Sequence, residues 1–488
     1  MTTLIPKFDL KNGGTTPAGA INRPINEKLA ESISVKDFGA KGDGTTDDTA
    51  AIQAAIDASN SVFFPTGNYL IASYLTIPSY KTLYSNMGLT ETSTTAVDGG
   101  VKLVFSGTAE ACFLGATSEA QNKFINFSGL TIITTGNYNW LFEFKAPLGF
   151  VFENINANNY YISGGGFNAI PETGQISWIN KFINCNIGLP VTATSYIFTH
   201  SFSDSWFNSC YFSGGLGFLD YSYGGNLYVN NHFDNTNYSA NAPALKIQRN
   251  PAATTSSNKQ TSIVNCYFDN NAVAIQLDST ITAINNLPFL TTITGCIFRN
   301  LATGSGGIAD IQFNSSASFT TIGSVVSGCA MSGSLPSFSF LNLNWLQVTF
   351  SGNTNVNYAW NLENVQQLIV FDRTANFTAG VVKAYDLSDT YRSQSNVAGI
   401  FGGDGGSVLL GSYTGTVPYI AAGLNGSGAP TNLAIYTNNV KRLQVNTTGS
   451  LNFVPQSAPS SPSAGDVYYD SGTNKLRCYN GSTWNDLF

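Results

Sequence analysis

Short stretches in which apolar and polar residues alternate recur through the middle of the chain. The phrases are FSGLTI, ENINAN, NCNIGL, SCYFSG, NNHFDN, NCYFDN, GCIFRN and GCAMSG. Aligned on Cys185, their key positions lie between 21 and 35 residues apart, at Leu130, Ile155, Cys210, Asn231, Cys266, Cys296 and Cys329. This column residue and the residue two places later are mostly apolar, so both are predicted to point inward. The loose period, with Gly, Asn and Ser between phrases, predicts a solenoid of stacked coils.

Composition supports stacked strands and narrows the range of partners. Charged residues make up only 10% of the chain, and the net charge is -7. With no basic run, the sequence predicts no nucleic-acid partner, although one or two local Arg or Lys would suffice for an anionic polysaccharide. The N-terminus lacks the signal-peptide pattern, and no apolar run approaches about 18 residues. We therefore expect neither Sec export nor membrane insertion.

The positions of the cysteines predict buried thiols in the core and not a set of disulfide bonds. Five of the seven stand in the inward column, so we expect reduced thiols that behave as small apolar groups. Zinc is not expected, because the only histidines are His200 and His232 and no C-x-x-C pair exists. The sequence predicts neither a metal site nor a cofactor.

The most specific stretch precedes the coils and reads ISVKDFGAKGDGTTDDTAAIQAAIDASNSVFFPTGNYLI. Asp47 or Asp48 can cap a helix from about 49 to 58 with Ile52, Ala55 and Ile56 on one face, and SVFFPTGNYLI predicts strand, turn, strand. Such a helix would cover the open apolar end of a solenoid. Residues 35–56 and 64–69 resemble the entry segment of the pectate-lyase-like family, as found in phage tailspikes. The resemblance implies an all-β, right-handed parallel β-helix with an N-terminal capping helix, but no single chemistry, since the family includes lyases, hydrolases and pure binders.

Changes in composition and in the spacing of turn residues along the chain predict four regions. Residues 1–31 form a polar arm, 32–394 the receptor-binding and catalytic β-helix, 395–453 a β-rich trimerisation region and 454–488 a small C-terminal module after a Pro/Ser linker. AIYTNNVKRLQVNTTGSLNF resembles a strand pair near the ends of phage tail fibres, and GDVYYDSGTNKLRCYNGSTWNDLF resembles a C-terminal fibre module. These resemblances imply a homotrimer on a phage tail, attached to the tail or an adaptor protein through the arm.

Carboxylates are scarce enough for the register to rank them, since only nine lie between Phe124 and Trp345. Three places after the column residue, an outward row is predicted from Ser213, Asp234, Asp269 and Arg299. One place after it, a second row is predicted from Tyr211, His232, Tyr267 and Ile297. Stacked strands lie about 4.7–4.9 Å apart, so two acids should stand one coil apart beside tyrosines that can pack on sugar rings.

Each of these residues has two interpretations. Asp234 and Asp269 could support Asx-turns, or they could act as a protonated acid beside an ionised base in glycan cleavage. Adjacent coils would suit a retaining glycosidase, whereas an inverting pair needs a wider separation. His232 could assist as acid or base or be a surface group. Arg299 could hold a sugar carboxylate or neutralise Asp269.

Further candidates lie in less certain register. In the next strand of each coil, another outward row is predicted through Asp220 or its neighbour, Lys246, Gln276 and Asp310, followed by Gln248, Asp278 and Gln312. Asp220 could face Asp234 across a groove. Glu172 and Asp204 lie in long loops of the kind that form groove walls. We rank the possible catalytic carboxylates as Asp234, Asp269, Asp220, Asp204 and Glu172.

The sequence predicts a phage tailspike, in the virion and acting outside the bacterial cell, that binds and depolymerises a bacterial surface polysaccharide by hydrolysis. A lyase is the alternative enzyme, with Lys246, Arg249 and Arg299 available to neutralise a uronic acid. A deacetylase is disfavoured, because no Ser/His/Asp arrangement has suitable spacing. A non-catalytic receptor-binding fibre remains the alternative from another class.

Overall fold

The computed structural model shows a right-handed parallel β-helix followed by smaller antiparallel sheets. The described residues are 7–8, 21, 23–29, 31–86, 100–158, 162–170, 177–190, 193–200, 202–220, 224–234, 241–248, 259–279, 289–299, 308–315, 320–332, 334–341, 345–355, 361–363, 367–373, 381–386, 397–403, 406–412, 418–422, 433–437, 440–446 and 448–487.

The N-terminal cap forms as the sequence predicts. Helix Thr49–Ala58 buries Ile52, Ala55 and Ile56, and the strands Ser61–Phe63 and Gly67–Ile71 follow it. Asp48 is the N-cap residue but makes no side-chain capping bond; Asp47 Oδ1 instead accepts the Thr49 backbone N–H at 3.0 Å, which satisfies one free donor of the first turn. Shorter elements precede the cap: antiparallel strands Lys7–Phe8 and Arg23–Pro24, helix Ile25–Leu29 and 3-10 helix Val35–Phe38. No helix among the described residues is long and apolar enough to cross a membrane.

Each complete coil of the β-helix gives one strand to each of three parallel sheets, which we call A, B and C in chain order. The strands of sheet A in this unit are Ile33–Ser34, Ser61–Phe63, Thr82–Tyr84, Asn126–Ser128, Val151–Glu153, Lys181–Ile183, Trp206–Asn208, Asn226–Val229, Lys259–Val264, Phe289–Thr294, Thr320–Ser327 and Trp345–Ser351. Sheet B has 10 strands: Asp43–Asp47, Gly67–Ile71, Val101–Phe105, Thr131–Thr134, Asn156–Asn158, Asn186–Gly188, Tyr211–Ser213, His232–Asp234, Tyr267–Asp269 and Ile297–Arg299. Sheet C has 11: Leu75–Ile77, Thr108–Gly115, Asn137–Lys145, Ile162–Ile170, Phe198–His200, Phe218–Asp220, Pro243–Gln248, Val273–Ser279, Ala309–Ser315, Phe338–Leu341 and Asn361–Glu363.

From the strand Asn126–Ser128 onward, the corner between sheets A and B is two residues long in every coil. One residue in the left-handed conformation is followed by the buried column residue, as in Ser209 (φ 56°) before Cys210 and Asn265 (φ 51°) before Cys266. Asn and Gly tolerate this conformation best, and one of them stands directly before the column residue in every phrase except the one that contains Ser209. A corner of constant length holds the register of sheet B from one coil to the next.

Aromatic rings stack through the core in register with the coils. Phe152, Phe182, Phe207 and Tyr228 of sheet A have successive centroid separations of 4.6, 5.0 and 4.9 Å. The column residues beside sheet B are also buried, which confirms their predicted inward direction. All seven cysteines are free thiols, and burial raises the pKa of Cys185 well above its usual value.

The chain divides into two compact units, residues 1–363 with 371–379, and residues 364–370 with 380–488. The second contains three antiparallel three-stranded sheets: Val397–Gly403, Gly406–Ser412 and Pro418–Ala422; Leu433–Thr437, Val440–Val445 and Leu451–Phe453; Val467–Asp470, Lys475–Tyr479 and Trp484–Asp486. The remaining strands are Gln367–Arg373 and Val381–Asp386. The roles predicted for 1–31, 395–453 and 454–488 stay predictions.

Candidate functional site

Sheet B carries the two outward rows in the predicted register. Asp234 pairs with Ser213 on one side and Asp269 on the other, and Asp269 in turn pairs with Arg299. We call Ser213, Asp234, Asp269 and Arg299 the acidic row. The aromatic row of Tyr211, His232, Tyr267 and Ile297 lies two residues earlier on the same strands. The sequence therefore located these side chains relative to one another correctly.

Tyrosine hydroxyls connect the two rows, and the two acids differ in how tightly they are held. The Tyr211 hydroxyl donates to Asp234 Oδ2 at 2.8 Å, and only 9% of Asp234 is exposed. Burial and this hydrogen bond raise the pKa of Tyr211, so its hydroxyl stays protonated and remains a donor. The Tyr267 hydroxyl donates to Asp269 Oδ2 over a longer distance of 3.5 Å. Asp234 is thus the more firmly positioned carboxylate.

Arg299 is the cation of the acidic row, and it is loosely engaged. Its Nη1 lies 3.9 Å from Asp269 Oδ2 and 3.5 Å from the Tyr267 hydroxyl, while 65% of its side chain is exposed. An exposed pair at this distance contributes little to stability. Arg299 is therefore free to swing toward a ligand, and the contact with Asp269 accommodates both roles predicted for it.

His232 is held between two aromatic rings. Its imidazole meets the rings of Tyr211 and Tyr267 edge-on, with centroid separations of 4.7 Å on each side and interplanar angles of 89° and 78°. Burial lowers the pKa of His232, although Asp234 and Asp269 oppose that shift. The side chain is half-buried and fixed, unlike the free surface histidine of the alternative interpretation.

Three polar side chains converge at this point. One ligand atom each from His232, Asp234 and Asp269 lies within 4.8 Å of the other two, a grouping that could hold a metal ion. His232 Nε2, Asp234 Oδ1 and Asp269 Oδ1 are all buried, and none has a hydrogen-bond partner in the described part of the chain. For the two acids, these atoms make no Asx-turn contact, which weakens the interpretation of both residues as turn supports.

Asp220 is not where the sequence placed it. It is fully buried, its Oδ2 accepts hydrogen bonds from Asn226 Nδ2 and the Tyr228 hydroxyl, both at 2.9 Å, and its strand neighbour is Ile247. Leu219 is the residue that pairs with Lys246. The prediction that Asp220 faces Asp234 across a groove is therefore wrong: its side chain belongs to the interior.

The register of sheet C also differs from the predicted one. Gln276 pairs with Gln312, not with Asp310, because the loop between sheets B and C varies in length. Asp310 is buried, and its Oδ2 accepts the backbone N–H and the hydroxyl of Ser332, both at 3.0 Å. Lys246 does lie in the outward row, where its Nζ contacts Asp278 at 2.7 Å. Its charge is therefore already balanced.

Of the remaining candidate acids, the structure describes Asp204, which does not join the cluster. Asp204 is exposed at the corner leading into the sheet A strand Trp206–Asn208, with φ 48° and its backbone N–H donating to Gly224 O. Glu172 and Arg249 lie outside the described residues, as does the side chain of His200.

Sequence reasoning missed a second feature near that corner. Trp206 is 52% exposed, and Lys181 Nζ lies 4.9 Å from the centre of its ring. Trp178 is also exposed, at 45%. The signal in the sequence was strand alternation: Trp206 directly precedes Phe207, whose ring is buried, so the two side chains point to opposite faces.

The fold and the entry segment agree with a match to a family model. Residues 32–306 match the model described as rhamnogalacturonase A/epimerase, pectate lyase-like. This is more than half of the chain, and the chain belongs to that family. The family resemblance suggested by the sequence is confirmed.

Curated relatives match over short segments only. The tail spike protein of an Escherichia phage is 40% identical over 68 residues, which cover 14% of this chain and 8% of that protein. Alginate lyase 7 of Azotobacter vinelandii is 59% identical over 44 residues, or 8% of this chain and 5% of the lyase. The chain therefore spans less than a tenth of the length of these relatives.

Solved structures share the fold. ORF18 of Geobacillus virus E2 superposes with a TM-score of 0.51 at 19% identity, over 95% of this chain and 87% of that one. The tailspike protein of E. coli bacteriophage HK620, solved as a double mutant, gives a TM-score of 0.51 at 13% identity, over 77% and 68% of the two chains. At sequence identities this low, the superpositions show a shared fold only.

Proposed function

We propose that this chain is a phage tailspike that binds a bacterial surface polysaccharide and cleaves it by hydrolysis at the acidic row of sheet B. One observation carries the proposal: Asp234 and Asp269 stand on adjacent strands, with carboxylate oxygens within 4.8 Å, between tyrosines on an outward face. Paired carboxylates beside aromatic rings are what glycosidic cleavage requires.

The separation of the pair favours a retaining mechanism. Retaining glycosidases place their carboxyl groups about 5–5.5 Å apart, whereas inverting enzymes need about 6.5–9.5 Å to admit a water. One oxygen of each acid lies within 4.8 Å of the other, which is closer to the retaining than to the inverting arrangement. The position of Asp234 and Asp269 on adjacent coils thus favours the retaining mechanism.

The contacts suggest a role for each acid. Asp234 accepts the short hydrogen bond from Tyr211, which suits an ionised carboxylate acting as nucleophile. Its oxygen would bond to the anomeric carbon while the glycosidic C–O bond breaks, and Asp269 would give its proton to the leaving oxygen. Water would then replace Asp234 on the sugar and return a proton to Asp269.

The proposed setting is the tail of a virion. Support comes from the relative named as a tail spike protein of an Escherichia phage and from the tailspike fold of HK620. We extend the proposal to a homotrimer joined to the tail or an adaptor protein through residues 1–31. Light scattering on the full chain tests the trimer, since a monomeric mass would exclude it.

Digestion of purified capsule or O-antigen tests the activity. We expect new reducing ends and shorter glycan on at least one polysaccharide from a panel, and loss of both with Asp234→Asn/Asp269→Asn. Glu153→Gln removes an exposed carboxylate of sheet A and serves as the matched control. Cleavage by the double variant at the parent rate would show that the acidic row is not the site.

A lyase is the second candidate, supported by the short match to alginate lyase 7 and by the exposed Arg299 near the acids. Elimination creates an unsaturated uronate that absorbs ultraviolet light, and hydrolysis does not. Products with reducing ends and this absorbance would favour the lyase. Binding of the polysaccharide without any shortening would instead identify a non-catalytic fibre.

A further inference from the structure

The cluster contains three buried polar atoms that lack hydrogen-bond partners within the part of the chain that the structure describes. His232 Nε2, Asp234 Oδ1 and Asp269 Oδ1 are each buried without a hydrogen-bond partner in the described residues. A buried polar atom left unpaired costs about 1–3 kcal/mol, and a charged one costs more. Such groups in a folded protein usually have a water or an ion as the missing partner. Here three of them belong to side chains that converge within 4.8 Å.

The charges distinguish among the possible partners. A proton shared between Asp234 and Asp269 would satisfy two atoms and leave His232 Nε2 unpaired. A single water could bond to all three, but it would leave two carboxylates together with only Arg299, 3.9 Å away and largely exposed, to balance them. A divalent cation satisfies all three atoms and neutralises both charges.

We propose that His232, Asp234 and Asp269 bind a divalent transition-metal ion, with Zn²⁺ or Mn²⁺ as the best matches. Imidazole suits zinc and its neighbours, carboxylate suits manganese, and a mixed set disfavours Ca²⁺, which prefers oxygen ligands alone. Ligands at about 2.1 Å from a metal lie at most about 4.2 Å apart. Side chains within 4.8 Å reach that spacing with a small movement.

Surrounding contacts hold the ligands in place. The rings of Tyr211 and Tyr267 fix the imidazole from both sides, and the Tyr211 hydroxyl donates to Oδ2 of Asp234, so Oδ1 is the oxygen without a hydrogen-bond partner among the described ranges. Hydrogen bonds that orient metal ligands in this way are a regular part of metal sites. Three protein ligands would leave a further position open to water.

The consequence for activity rests on the proposed function. A metal bound to Asp234 and Asp269 would withdraw the nucleophile and the proton donor together, so occupancy would act as a reversible off switch for hydrolysis. The binding itself does not depend on that activity. The two proposals can therefore fail separately.

Calorimetric titration of the untagged, chelator-treated full chain with ZnCl₂ and MnCl₂ tests the site. We expect one site per chain, with affinity at least tenfold weaker in His232→Asn and Asp234→Asn. Glu153→Gln and His200→Asn, which changes the other histidine, should bind like the parent. Co²⁺ should give visible absorption bands in the parent that His232→Asn abolishes, and thermal melting of each variant verifies folding.

Unchanged binding in folded His232→Asn and Asp234→Asn would overturn the site, as would no binding of either metal, which would identify water or a shared proton as the partner. Metal binding together with no glycan cleavage by the chelator-treated, metal-free chain would keep the site and reject the hydrolase. Glycan cleavage by a chain that binds neither metal would support the hydrolase and overturn the metal site. Full activity in the metal-saturated chain would refute the off switch.

Discussion

The hydroxyl of Tyr211 donates a 2.8 Å hydrogen bond to Asp234 Oδ2 on the next coil, whereas the hydroxyl of Tyr267 reaches Asp269 on its own strand at 3.5 Å. A bond between coils fixes a carboxylate relative to its neighbour more firmly than a long contact within one strand. The two Tyr–Asp pairs are chemically similar, but Tyr211 holds Asp234 more firmly than Tyr267 holds Asp269.

Tyr211→Phe should slow glycan cleavage about tenfold, which corresponds to about 1.4 kcal/mol of lost transition-state stabilisation. The ring that packs on His232 remains, while Asp234 Oδ2 loses its hydroxyl donor. Steady-state rates on a cleaved polysaccharide measure the effect. Tyr267→Phe is the matched control and should cost less than about threefold, because its bond is long. A larger loss in Tyr267→Phe would reverse our ranking of the two acids.

Asp234→Asn/Asp269→Asn should abolish cleavage while raising the free energy of unfolding by about 1 kcal/mol in chelator-containing buffer. The physical reason is that like charges directly opposite on neighbouring strands destabilise a sheet. Active sites often carry such a cost in stability. Denaturant unfolding measures it, with Glu153→Gln as the control. A clear loss of stability would indicate that the pair supports the fold.

Asp220→Ala should have the opposite effect, lowering the free energy of unfolding by about 2–4 kcal/mol with unchanged activity per folded molecule. Asn226 and Tyr228 would each lose a buried acceptor. Chemical denaturation and rates normalised to folded protein separate the two quantities. Selective loss of activity in a fully folded variant would return Asp220 to the list of catalytic candidates.

Thiol labelling should be restricted to one cysteine in the native chain. Cys112, Cys185, Cys210, Cys266, Cys296 and Cys329 are buried, and only Cys478 is partly exposed. The thiolate is the reactive form, and burial raises the pKa of Cys185, so at pH 8 that thiol stays protonated as well as inaccessible. Mass spectrometry after maleimide treatment should show one adduct natively and seven in denaturant. Several rapid native adducts would contradict the stacked core.

The sequence predicted sheet B better than sheet C for a physical reason. From the strand Asn126–Ser128 onward, the corner between sheets A and B has the same length. Counting from Cys210, Asn231 or Cys266 therefore located Tyr211, Asp234 and Asp269 correctly. Between sheets B and C the loops vary, and a shift of two residues exchanged Asp310 for Gln312.

Polar residues with inward roles were the hardest to foresee. Asn231 interrupts the apolar column, yet its Oδ1 accepts the Cys210 backbone N–H at 2.9 Å and its Nδ2 donates to Phe207 O at 2.8 Å. Asp220 is satisfied inside in the same manner. Alternation of polar and apolar residues predicts direction only when the interior is apolar, and here the interior contains polar groups with their own partners.

The constant corner between sheets A and B makes the position of the two carboxylates independent of the lengths of the loops around them. Asp234 and Asp269 are positioned by that corner and by strand pairing, whereas the loops after sheet B differ in length from coil to coil. A loop can therefore be lengthened, shortened or exchanged without displacing the carboxylates. In the proposed hydrolase, the glycan that is recognised can therefore change while the chemistry stays the same.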